Sequence, residues 1–191
     1  MGWDFSKLLT GKIMETIVSV MLQESNYMVL PYGYEQTHPA LCQKWGRGIK
    51  RTNTLSRLRT SPDLLIYDNV EKTTKIVEIK SHITKSQKHW ISNKKVQKYN
   101  KYWDDCILVE IIPMGEVFYA EYIAKLAGMN APEMEVDLVI PDCFRPFNQI
   151  MDISSSVFET YKKKTLLIMD ALREGYPFRE KPTAAHFTGT G

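Results

Sequence analysis

The spacing of apolar positions changes several times along the chain, and each change marks an element. Between Ser6 and Ser25, Ile13, Ile17, Val20 and Met21 recur at helical spacing, which predicts a helix. Glu15 lies off that stripe and lines up with Gly11, Val18 and Leu22, so its own face is also mostly apolar. The run YMVLPYGYE, Tyr27 to Glu35, reads as a strand that ends at Pro31 to Gly33. DLLIYD, from Asp63, and KIVEIK, from Lys75, read as two strands, with NVEKTT between them as a hairpin connection. Pro62 stands at the first residue of its strand, where proline is tolerated. Ser86 to Trp103 reads as a second helix that packs through Val96, Tyr99 and Trp103. CILVEII, Cys106 to Ile112, is a continuous apolar run of the kind a buried central strand carries. Beyond it, Gly115 to Gly128 is expected to be helical and Val136 to Pro141 to be a strand. A long helix follows from Ser154, with a serine N-cap, apolar Phe158, Tyr161, Ile168 and Leu172, and Gly175 as terminator.

The order helix, strand, strand, strand, helix, strand, then extra elements, describes an α/β fold: a mixed central sheet flanked by helices. With 191 residues the chain is long enough for one domain with a core and appendages. Residues 1–175 are expected to form that domain, and 176–191 an extended or disordered tail. The 43% hydrophobic and 25% charged fractions are those of a soluble globular protein. No run approaches the roughly 18 apolar residues of a membrane span, so no membrane partner is expected. The start, MGWDFSKLLTGK, lacks the pattern of a secretory signal. Gly2 with Ser6 fits a myristoylation pattern only loosely, and Trp3 and Asp4 suit the lead-in to a helix. Cys42, Cys106 and Cys143 are odd in number and widely spaced, which argues for a reducing, cytoplasmic setting over a disulfide framework. His38 and Cys42 lack the second ligand pair that zinc needs.

The net charge of +3 is uninformative, but its distribution is not. Lys44 to Arg59 holds Lys44, Arg47, Lys50, Arg51, Arg57 and Arg59 without an acid. Lys85 to Trp103 is again rich in lysine and aromatics and again lacks acids. Two such segments bracketing the strand pair form the footprint a phosphate-bearing polymer would require. A solvated loop and a solvated helix face would have the same composition.

The strands so bracketed carry charge where strands rarely do. Side chains alternate across a strand, so Glu78 and Lys80 share one face while Val77 and Ile79 point to the core. Asp63 opens the neighbouring strand of the same hairpin, and Glu15 on the first helix is a fourth candidate. Carboxylates beside a lysine suit magnesium, which takes one or two carboxylates together with waters and substrate phosphate. Each part also has an ordinary explanation: a cross-strand ion pair for Glu-x-Lys, a turn signal for Pro-Asp, an exposed position for a helical glutamate.

Pro62-Asp63 followed by Glu78-Ile79-Lys80 resembles the signature of the PD-(D/E)XK nucleases, whose fold is the restriction-endonuclease-like one. Ser81 after the lysine is similar to the E-x-K-S of archaeal Holliday-junction resolvases. The resemblance covers about residues 7–112, the helix-strand-strand-strand-helix-strand core, and leaves 113–175 as a C-terminal extension. It implies a metal-dependent nuclease, expected to be an endonuclease, hydrolysing phosphodiester bonds in DNA. Asp63 and Glu78 would be metal ligands, with the Ile79 carbonyl as a further one; Glu15 would hold the metal or its water; Lys80 would assist the attacking water. The metal implied is magnesium, with manganese as a substitute, and a homodimer is compatible with the family's habits. The alternative on the same fold is a catalytically silent DNA-binding or assembly module. Gln97 followed by Tyr102 departs by one residue from the Gln-x-x-x-Tyr of some members, so Gln97 is a candidate only by position. His82 beyond the lysine and Glu35 beyond the first strand are further positional candidates. Trp90, Tyr102 and Trp103 would either stack on bases or pack the helix, and Lys162 to Lys164 read as a solvated face.

Overall fold

Helix α1, Phe5–Glu24, ends where Asn26 adopts a left-handed backbone with φ 66°, a conformation asparagine tolerates better than most residues. Strand β1, Tyr27–Pro31, follows directly. The computed structural model describes residues 5–33, 52–58, 60–83, 89–129 and 138–175. Glu35, His38, Cys42, most of the first basic stretch, Lys85 and Lys88, and the tail from 176 lie outside the described residues.

After the short helix α2, Asn53–Leu58, come strands β2, Leu64–Asp68, and β3, Thr73–Ser81. They form the expected hairpin. Its turn is pinned by Asp68, whose Oδ1 accepts the N–H groups of Val70 at 2.9 Å and Glu71 at 3.0 Å, while Lys72 takes φ 58°. A two-residue strand β4, Trp90–Ile91, precedes helix α3, Asn93–Asn100. Strand β5, Ile107–Ile111, is buried at every position and runs parallel to β3, with Lys80 beside Glu110. Strand β6, Phe118–Tyr122, passes into helix α4, Ile123–Met129. The chain then gives β7, Leu138–Val139, helix α5, Ile140–Cys143, β8, Arg145–Pro146, a 3-10 turn, Phe147–Gln149, and helix α6, Ser155–Gly175.

The fold is α/β. Among the described residues, six strands form a mixed sheet in the order β1-β2-β3-β5-β6-β8, and β4 pairs with β7 in a separate two-stranded ribbon. One sheet face is covered by α1 and α6. There Met14, Val18, Met21 and Leu22 meet Val77, Ile79, Val109, Phe118, Phe158 and Met169. Each fully buried side chain of this kind contributes about 1.5–3 kcal/mol. The other face carries a second apolar cluster, with Val96, Trp103, Leu108, Ile112, Ile123 and Leu126, roofed by α3 and α4. Among the described residues no helix is long and apolar enough to cross a membrane.

Four expectations need correction. The stretch Gly115 to Gly128 is not one helix. Gly115 at φ 60° and Val117 at φ 66° turn the chain back, the Val117 carbonyl accepts the Ile112 N–H at 2.9 Å, and the aromatic run after it becomes β6. Of the helix expected over Ser86 to Trp103, residues 86–88 lie outside the described residues, and 89–92 are not helical, because Trp90 and Ile91 are paired with Val139 and Leu138; the helix is Asn93–Asn100. Of the strand expected at Val136 to Pro141, Val136 and Asp137 lie outside the described residues; Leu138–Val139 is strand, and the chain turns helical at Ile140, where Pro141 takes an early helical position and its missing N–H costs nothing. In α1 the packing face is turned from the expected stripe: Val20 is exposed and Met14 fully buried, because α1 is held between sheet and α6. The face that contains Glu15, with Val18 and Leu22, is thereby directed inward.

Candidate active site

The register of the hairpin places the acids. Leu64 pairs with Val77, so the next step of the antiparallel ladder sets Asp63 opposite Glu78. Asp63 is fixed from two sides. Its Oδ2 accepts the Ile79 N–H at 2.8 Å, and its backbone carbonyl accepts the N–H groups of Tyr32 at 2.9 Å and Gly33 at 3.2 Å. The end of β1, the start of β2 and the middle of β3 therefore meet at one residue.

Glu78 is 2% exposed, under α3. Its Oε1 accepts hydrogen bonds from Lys80 Nζ and from the Tyr99 hydroxyl. Its Oε2 is buried and has no hydrogen-bond partner among the described residues. A buried carboxylate oxygen left without a donor costs of the order of 1–3 kcal/mol, and a cation at that oxygen removes the cost.

The electrostatics follow from this crowding. Burial, then the nearby Glu78 charge, pushes the Asp63 carboxyl up to about 8. Burial also raises Glu78, against the opposing pull of Lys80 and Tyr99. For Lys80, burial works against the charge, but the Glu78 carboxylate bound to it outweighs this and the net shift is upward. Tyr99 is raised by burial and by Glu78, which keeps its hydroxyl a donor. Without a bound cation the cluster keeps Lys80 as an ammonium and Asp63 substantially protonated at neutral pH.

Glu15 stands at the margin. It is half-buried and pairs with Lys12 at 2.8 Å, yet its charge is felt at both Asp63 and Glu78, where it raises the carboxyls. Among the described residues no three His, Cys, Asp or Glu side chains gather into a ready-made cage. Two carboxylates, one with an unpartnered oxygen, fit magnesium better than an ion that demands an all-protein cage. Asp63 and Glu78 are the side chains that would hold it.

The remaining candidates separate. Gln97 donates to the Ala127 carbonyl at 3.0 Å and to Asn93 at 3.4 Å, which ties α3 to α4. Trp103 is buried, donates to Thr60 at 3.3 Å, lies 5.0 Å under the Arg57 guanidinium and meets Tyr32 edge-on, so it packs the helix on the sheet. Trp90 is exposed, and Tyr102 is half-buried beside Lys101. Lys162 is tied to Glu116 at 3.0 Å, and Lys164 lies over Tyr161, so these lysines belong to the surface of α6. His82 is bound to Glu110 at 2.8 Å.

Two residues of the site were not foreseen in their roles. Tyr99 was expected only to pack, but a tyrosine on a buried helix face needs a partner for its hydroxyl, and Glu78 is that partner. Glu110 lies inside the apolar run of β5 and is 1% exposed. An acid inside such a run is itself a signal, since acids are rarely buried without a partner.

On α3, which carries Tyr99 over Glu78, Lys94, Lys95 and Lys98 are exposed, as is Lys101 just beyond it. A separate cavity of about 570 Å³ opens at the far end of the β2–β3 hairpin, lined by residues that include Tyr27, Asp68, Lys75 and Asp152, and it shares none of the cluster's side chains.

No protein-family model matches the chain, and no curated protein matches it at a significant level.

Proposed function

We propose that this chain is a magnesium-dependent nuclease of the PD-(D/E)XK type, with the restriction-endonuclease-like core, that hydrolyses phosphodiester bonds in DNA. The observation that carries the reading is the buried Oε2 of Glu78, without a hydrogen-bond partner among the described residues, on a side chain that the hairpin register sets opposite Asp63 and that is paired with Lys80. An ordinary cross-strand ion pair would satisfy both carboxylate oxygens or leave them to water. The order α1, β1, β2, β3, α3, β5, interrupted only by the short α2 and β4 and with β3 and β5 parallel, supports the reading.

Asp63 and Glu78 would hold the magnesium ion, the Ile79 carbonyl would be a further ligand, and Glu15 would hold a water at the edge of the site. When bound, the ion acidifies a water and stabilises negative charge on the phosphate. Lys80 contributes as a cation. Glu78 holds it protonated, so it donates hydrogen bonds to the attacking water or to a phosphate oxygen and stabilises the charge developing there. Tyr99 holds Glu78 in place and leaves its second oxygen for the ion. The lysines of α3 and Arg57 would steer the DNA backbone towards the acids.

The test is cleavage of labelled DNAs, namely linear duplex, single strand, flap and four-way junction, each with magnesium, manganese or chelator. Cutting that needs metal supports the reading, and the substrate cut fastest defines the subclass. Salt-sensitive binding without any cutting would favour a silent DNA-binding module instead.

A further inference from the structure

Past Ser81 the pairing of β3 with β5 runs on by one more hydrogen bond, from His82 N–H to the Ile111 carbonyl at 2.8 Å. His82 therefore continues the alternation of Glu78 and Lys80 along one face, and stands about 6.6 Å further along the strand than Lys80. Its Nε2 meets Glu110 Oε2 at 2.8 Å. Glu110 is 1% exposed and sits beside Lys80 in the parallel register. Burying a carboxylate in a central strand is costly unless it is paired, and His82 is its partner. Facing a carboxylate, Nε2 carries the proton, so the ring is fixed in orientation and Nδ1 is the nitrogen left for a ligand. The His82 side chain is 31% exposed and its ring lies edge-on to His89, centroids 5.2 Å apart. A buried acid holding a half-exposed imidazole on the same face as the site lysine is more than strand-end packing requires.

We infer that His82, oriented by Glu110, is a second phosphate subsite, which takes the phosphate next to the one that Lys80 faces. The inference rests on the nuclease reading above. In its cationic form His82 donates from Nε2 to Glu110 and from Nδ1 to a phosphate oxygen, so one ring bridges a fixed buried anion and a bound one. Glu110 is a positioning residue, since it acts through the imidazole. The subsite would set the register of the strand in the cleft, one nucleotide step from the acids.

The test uses a short fluorescein-labelled DNA duplex and a four-way junction, and a series of the same DNAs in which single phosphates are replaced by neutral methylphosphonates. His82→Ala should raise KM about tenfold, more than it lowers kcat, and reduce the salt dependence of binding by about one phosphate contact. The loss should disappear on the one DNA whose matching phosphate is already neutral. His82→Arg should restore most of the affinity, and Glu110→Gln should give a smaller loss confined to the same phosphate. A wild-type enzyme that cuts, with His82→Ala unchanged in KM and salt dependence, overturns the subsite. So does a loss equal at every methylphosphonate position, since that marks a purely structural ion pair. If the wild type neither binds nor cuts any of these DNAs, the nuclease reading falls, and the subsite with it.

Discussion

Asp63 and Glu78 face each other one step beyond the last residue pair of the β2–β3 ladder, and the Ile79 N–H, 2.8 Å from Asp63 Oδ2, locks that opposition. Two acids pressed together in this way retain protons until a cation replaces them. That property can be measured before any substrate is known.

Magnesium binding should release a proton. With its carboxyl pushed up to about 8, Asp63 is largely protonated at pH 6.5 and must ionise to ligate a metal. Affinity should rise with pH up to about 8, by at most about tenfold per unit for a single proton. Calorimetric titration in two buffers of different ionisation heat reads the proton directly. A heat independent of buffer would contradict the arrangement.

The metal-free protein should lose stability as pH rises. A carboxyl whose folded pKa is raised contributes stability that is fully present below its unfolded value of about 3.9 and is lost as pH climbs through about 8. The slope is at most about 1.4 kcal/mol per pH unit for one proton. Asp68 and Glu121, whose carboxyls are lowered, act in the opposite sense at acid pH and are already ionised in both states above pH 6. Thermal melts of wild type and Asp63→Asn from pH 6 to 8.5, without metal, isolate the effect: the wild type should fall more steeply than the variant. Parallel curves would mean that Asp63 does not carry the strain assigned to it.

Tyr99→Phe removes one of the two donors to Glu78 Oε1 and should cost about 1 kcal/mol in a urea melt. It should also lower metal affinity, because Glu78 is then held by Lys80 alone. Unchanged metal affinity would restrict Tyr99 to packing.

Gly115→Ala tests the turn that replaces the expected helix. At φ 60° any side chain is strained, and an added Cβ would fall 2.3 Å from the Tyr119 hydroxyl, which also accepts the Glu116 N–H. A loss of about 1–2 kcal/mol is expected, with the site's metal affinity little changed. A neutral effect would show that the hairpin between β5 and β6 tolerates another turn.

Much of this was legible in the sequence because it depends on periods of two. The alternation of Val77, Glu78, Ile79 and Lys80 fixed which residues enter the core and which meet Asp63. The continuous apolar run at Cys106 to Ile112 gave the central strand. What was not legible depends on contacts distant in sequence. Trp90 and Ile91 leave the helical pattern only because Leu138 and Val139 pair with them. Tyr99 becomes part of the site only because the packing of α3 sets its hydroxyl against Glu78. The rotation of α1, which exposes Val20 and turns the Glu15 face inward, is decided by α6, some 130 residues further on. The turn at Gly115 was readable in principle, since a glycine after Pro113-Met114 and before an aromatic, β-rich run marks a hairpin better than a helix.

The central claim is most directly tested by the cleavage rate of Lys80→Ala and Asp63→Asn beside the parent, on the DNA that the parent cuts fastest with magnesium. Both variants should fold, still bind that DNA, and cut it at least about a hundredfold more slowly, since each removes charge or a ligand at the reacting phosphate. If either variant cuts as fast as the parent, the acids and the lysine are a structural ion-pair cluster and the active site lies elsewhere.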